Sequence, residues 1–244
     1  MLASNLSEAR RQVQDGQFAS AIPALAAAAK RTPTDHELCR ELVLAAVGGG
    51  AHEQAVAFCE NALKHHPRSD WVWRQLGNEL TCIDRLDDAE AALRNAKKIN
   101  PKAPLLWRYL ATLAQKRKNA EMESEALEAL DDLGQANAAD LNRLGTIYRK
   151  QHDFGTALQR YRRSAETARS PKPYLGMGLV FRHPEISQDL DAADSFRIAL
   201  TIEADYEFAA QQLKVTAAKL KPLANKVRTV ERNLLRANEH YQFY

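Results

Sequence analysis

Three arginines recur at a fixed interval: Arg40, Arg74 and Arg108 are each 34 residues apart, and Asn142 continues the series. A guanidinium is a planar fork of donors that grips a carboxylate or phosphate through two parallel hydrogen bonds. Guanidinium groups stacked side by side also repel one another weakly in water. An anion laid across them would relieve that repulsion, so the series reads as a site for an acidic ligand. The competing reading is that each arginine pairs within the chain with a glutamate, such as Glu41 or Glu79, on a solvated face. Around the series stand Arg10, Asn78, Thr112, Arg143 and Arg149, and Trp71 lies two residues before Trp73 on another side of the same helix.

No constellation for covalent chemistry accompanies them. The sequence contains no phosphate-binding G-x-x-x-x-G-K-[ST], no G-x-S-x-G elbow and no H-E-x-x-H. Gly48-Gly49-Gly50 is the only glycine cluster, and it reads as a turn. His65 and His66 are adjacent, so they cannot share a helix face, and they suit a helix end where basic groups oppose the dipole. Cys39, Cys59 and Cys82 have no metal-ligand spacing. Cys39 and Cys59 read as small core residues and Cys82 as more exposed. We therefore expect no catalytic residue, no metal and no cofactor.

The elements that position these residues follow from a repeat. Pro33, Pro67 and Pro101 share the 34-residue interval, and Leu-Gly recurs at Leu76-Gly77 and Leu144-Gly145. Trp73-x-x-Leu76-Gly77 is followed by Leu80, Ala89, Leu93, Ala96 and Pro101. This pattern resembles the tetratricopeptide repeat, with leucine where that family carries tyrosine and phenylalanine. Repeats are expected to start near residues 2, 36, 70, 104, 138 and 171. The fourth is degenerate, with Glu123 in an alanine position, and the turn near Arg182-His183-Pro184 gains about two residues.

The resemblance implies an all-α fold, a right-handed α-α superhelix of helix pairs. We expect the array over residues 2–205 and capping or amphipathic helices over 206–244. Those are expected as Tyr206–Lys221, a break at Pro222, and a stripe from Leu223 to Ala237. The resemblance further implies a concave groove lined by first helices, with the residue after each packing position pointing into it. Arg40, Arg74, Arg108 and Asn142 hold that position. Arg74 and Asn78 resemble part of the carboxylate clamp of chaperone-binding members, but the second asparagine and further basic pair are not cleanly present.

Composition sets the outer limits. The balance of 34 basic and 31 acidic residues is too even to imply nucleic-acid binding by bulk charge. No apolar run reaches the roughly 18 residues of a membrane span, and the first residues lack a signal pattern. The expectation is a cytoplasmic, non-catalytic adaptor for an acidic peptide or helix. The alternatives are self-association through the C-terminal stripe, or a docking module of a longer protein, such as a co-chaperone or the regulatory arm of an enzyme. The abrupt aromatic end at His240-Tyr241-Gln242-Phe243-Tyr244 suggests a longer chain.

Overall fold

A computed structural model describes residues 2–241, with the side chains of 5–222, 224 and 225. Among the described residues every regular element is a helix, as the resemblance implies. The chain divides into two compact units, Met1–Gln135 and Ala136–Tyr244.

The first unit holds α1 (Leu2–Gln14), α2 (Phe18–Arg31), α3 (His36–Gly48), α4 (His52–His65), α5 (Asp70–Cys82), α6 (Leu86–Ile99), α7 (Pro104–Arg117) and α8 (Ala120–Asp132). Within the unit each helix packs on its sequence neighbours, and α5 also packs on α7. First helices are thus neighbours, the arrangement in which one helix pair covers the apolar face of the next.

Three recurring devices fix the pairs. The first is a cap: Asp35 accepts from the Leu38 N–H and Ser69 from the Val72 N–H, while Pro104 occupies the first turn of α7. These positions satisfy or remove the orphan donors of a helix start. The second is a tie to the closing proline. Trp73 Nε1 donates to the Pro67 carbonyl at 2.9 Å, and Trp107 Nε1 to the Pro101 carbonyl at 2.7 Å. Cys39 Sγ faces the Pro33 carbonyl at 3.6 Å in the same register. Trp107 is buried and Trp73 only half-buried, although both indoles make this hydrogen bond. The third is the turn between the helices of a pair. Positive φ recurs at Gly16, Gly50, Asp84 and Lys118, again 34 residues apart. The glycine cluster therefore does serve a turn, with Gly50 in the left-handed region.

Small-to-large contacts seal the interior. A Cβ on Gly77 would lie 2.5 Å from Leu93 Cγ, so the missing side chain is the notch that Leu93 fills. The degenerate fourth pair still forms, with Glu123 buried beside Ala126, Leu127 and Leu130 on α8.

The second unit holds α9 (Ala138–Lys150), α10 (Phe154–Thr167), α11 (Pro171–Phe181), α12 (Asp189–Ile202) and α13 (Glu207–Tyr241). The same rules apply. Asn137 and Asp140 form a reciprocal capping box, and a Cβ on Gly145 would lie 2.7 Å from the Tyr161 ring. Gly178 faces Phe196 likewise, at 2.4 Å. Helix α11 has 11 residues where α9 has 13, and the turn after it (182–188) has seven where the turn after α9 (151–153) has three. The net gain is the two residues expected near Pro184.

One expectation is corrected. Pro222 does not divide the C-terminal segment, since α13 runs through it. A proline removes one helical hydrogen bond and crowds the carbonyl four residues back, at about 3 kcal/mol. Here both flanks remain helical. The side chains of the stripe from Leu223 to Ala237 lie almost entirely outside the described residues.

Candidate peptide-binding face

The regular spacing of α1, α3, α5 and α7 brings residues of successive first helices side by side. Arg10 of α1 meets Glu41 of α3, with Nε 2.9 Å from Oε2. Arg40 of α3 lies over the Trp71 ring of α5, its guanidinium carbon 5.2 Å from the ring centroid. Such a cation over an aromatic face is held by the ring quadrupole.

The arginine series does not behave as one set. Arg10 is paired with Glu41, and that hydrogen bond raises the arginine's already high pKa. Arg74 is nearly buried, with 11% of its side chain exposed, and both Nε and Nη2 donate to Asp70 Oδ2 at 3.2 and 3.0 Å. The spacing of four along one helix makes this pairing geometrically natural. Asp70 also accepts from Asn100 Nδ2 at 3.2 Å, which locks the cluster. Arg108 donates through Nη2 to the Gln135 carbonyl at 2.7 Å. Intramolecular pairing thus describes three of these arginines, but the acceptors for Arg74 and Arg108 are Asp70 and a carbonyl rather than glutamates. Arg40 alone in the group Arg40, Arg74 and Arg108 is exposed.

The remaining candidates divide similarly. Trp71 is half-buried beneath Arg40. Asn78 turns its amide to Glu79 Oε1 at 2.8 Å. Thr112 is exposed, and its hydroxyl donates back to the Arg108 carbonyl. In the second unit Arg143 is exposed. Asn142 Oδ1 and Arg149 Nε are buried with no hydrogen-bond partner among the described residues.

Leu44 stands one turn beyond Arg40 on α3 and is 43% exposed. With Val13, Gln14, Leu25 and the Arg10–Glu41 pair it lines a recess of about 210 Å³. The exposed cation, the indole and this recess together form a face with one charged and one apolar element. A larger recess of about 330 Å³ lies among α6, α7 and α8, where Lys97 Nζ sits 4.7 Å from the Trp107 ring centroid. Its residues come mostly from second helices.

Two groups have donor types suited to a metal: His52 with Glu79 and Cys82, and His152 with His183 and Glu185. Sequence reading missed both, because in each one histidine, His52 or His152, lies more than 25 residues before the other two members. Cys39 and Cys59 are buried and Cys82 is exposed, as expected. Burial, with nearby Glu79 and Glu60, pushes the Cys59 thiol up to about 12, which leaves it protonated and inert. Among the described residues no helix is long and apolar enough to cross a membrane.

No protein-family model matches the sequence, and no curated protein matches it. Solved structures do. YrrB, described as a TPR protein with an unusual peptide-binding site, superposes with a TM-score of 0.68 at 16% identity, over 78% of this chain and 98% of that one. A tetratricopeptide-repeat protein from Parabacteroides merdae matches with a TM-score of 0.54 at 14% identity, over 88% of this chain and 84% of the other. The APC/C hetero-tetramer Cut9-Hcn1 matches with a TM-score of 0.53 at 16% identity over 88% of this chain, which spans only 43% of the matched one. Taken with the 34-residue register and the helix pairs, these likenesses establish that the chain has the tetratricopeptide-repeat fold.

Proposed function

We propose that the chain is a non-catalytic scaffold that binds a protein partner along the first-helix face of residues 36–82. The partner segment is an extended peptide or a helix, with an acidic group at Arg40 and an apolar side chain at Leu44. The observation that carries this reading is Arg40 itself. It is exposed, is braced over Trp71, and has no carboxylate partner among the described residues. A pre-positioned cation beside an exposed leucine offers both charge and area, and arginine and tryptophan are the residue types that dominate binding energy at interfaces. The reading places the array over residues 2–205 and assigns 206–244 to its cap, in the cytoplasm.

The test is capture of partners from native extract by the wild-type chain, by Arg40→Ala/Trp71→Ala and by Arg94→Ala on α6. A partner lost only with the first variant supports the reading. A partner retained by it, or lost equally with Arg94→Ala, overturns it.

A second reading is self-association through α13. Phe208 and Val215 lie seven residues apart on that helix and are 45% and 46% exposed. That spacing returns to the same helix face. Sedimentation should then show a dimer that Phe208→Glu/Val215→Glu dissolves. A monomer at high concentration removes this reading.

A further inference from the structure

Each position in a repeat can be compared with its equivalents 34 residues away. Glu79 stands where neighbouring repeats carry Ala45, Leu113 and Ile147, and all of these are buried. Glu79 is itself 0% exposed. His52 stands where other repeats carry Phe18, Leu86, Ala120 and Phe154. Within one stretch of the array, two positions that are apolar in the adjoining repeats have become an imidazole and a carboxylate; only the end repeats also depart, with Arg11 and Asp189. The two groups meet, with His52 Nδ1 2.7 Å from Glu79 Oε2. Cys82 lies three residues beyond Glu79, on the same face of α5. One ligand atom from each of the three lies within 4.8 Å of the other two.

We propose that His52, Glu79 and Cys82 bind one divalent transition-metal ion of the zinc class, with water as the fourth ligand. Imidazole nitrogen, thiolate sulfur and carboxylate oxygen are the donors such an ion takes, at roughly 2.0–2.3 Å each. A tetrahedron of that size puts donors about 3.3–3.8 Å apart, which small rotations of these side chains reach. The carboxylate is already oriented, because Asn78 Nδ2 donates to Oε1 at 2.8 Å. A fixed outer hydrogen bond of this kind holds a ligand in place for its ion. The site has an entrance, since the His52 side chain is 39% exposed and Cys82 is exposed. The buried carboxylate forms the floor, and a bound cation would offset its charge. On binding, the Cys82 thiol proton passes to solvent, the sulfur bonds the metal, and no group is oxidised or reduced. The cluster His152, His183 and Glu185 differs, having no buried member and no sulfur.

The test is a titration of the chelator-treated, reduced full chain with Co²⁺. The expected result is a near-ultraviolet thiolate-to-cobalt charge-transfer band that saturates at one equivalent and is bleached by Zn²⁺. Cys82→Ser should abolish the band, and His52→Ala should weaken cobalt affinity at least about tenfold. The cluster of His152, His183 and Glu185 has no sulfur and cannot produce this band, so it does not confuse the readout. No band in the wild-type chain, or a band of equal strength in Cys82→Ser, overturns the proposal. A second measurement needs no variant: Zn²⁺ should slow alkylation of Cys82 in the wild-type chain, and an unchanged rate counts against the site.

Discussion

Two contacts made by α5 obey the same repeat and differ completely. Against α6 it is dry and notched: Gly77 leaves the space that Leu93 fills. Against α4 it is polar: Glu79 meets His52, with Cys82 beside them. The first contact recurs in the second unit as Gly145 with Tyr161. The second has no equivalent in the register, where Ala45, Leu113 and Ile147 take the place of Glu79. Positions that keep the period build the scaffold.

The largest effect should come from breaking the dry contact. Gly77→Ala puts a Cβ 2.5 Å from Cγ of the fully buried Leu93. Overpacking should lower unfolding stability by about 2 kcal/mol in chemical denaturation, even after the gain in helix propensity. Gly145→Ala, against Tyr161, should behave in the same direction. An unchanged midpoint in both would mean that the notch is not tight.

The polar contact should respond oppositely when its register is restored. His52→Phe/Glu79→Leu replaces a polar pair, half-buried at His52 and buried at Glu79, with the apolar types of the adjoining repeats. In metal-free buffer this double variant should be unchanged or up to about 2 kcal/mol more stable. Glu79→Ala alone should be less stable than wild type, because it strands His52 and opens a cavity. A double variant that is markedly destabilised would show the pair to be structural in its own right.

The exposed face should separate the arginines. Arg40→Ala should weaken partner binding by about 1 kcal/mol, near fivefold, while Arg108→Ala should change it less, because its guanidinium is already committed to Gln135. Equal losses, measured by titration calorimetry, would restore the full ladder that the sequence suggested. The smallest effect belongs to the turns. Lys118 adopts φ 55° where the first two repeats use Gly16 and Gly50. Lys118→Gly should gain about 0.5 kcal/mol, as relief of left-handed strain outweighs the larger chain entropy of glycine.

The fold was legible because its signals are local and repeated. Pro33, Pro67 and Pro101, the Leu-Gly pairs and the small-large-small spacing each report the same interval. Pro222 misled because a proline signals a break, whereas α13 carries on through it. The site was legible only as a register. The sequence placed Arg40, Arg74 and Arg108 at equivalent positions, but their environments depend on single neighbours. Asp70, four residues before Arg74, was available as a signal and went unused. The Gln135 carbonyl that holds Arg108 is 27 residues distant and carries no side-chain signal. The His52–Glu79 meeting also spans 27 residues, yet it could have been found by asking which repeat positions change from apolar to charged.

The claim that binding belongs to the first-helix face is tested most directly by amide hydrogen exchange on the chain with a captured partner bound. The account predicts added protection in α3 and α5, residues 36–48 and 70–82, with α4 and α6 unchanged. Protection confined to α4, α6 or α13 would contradict it.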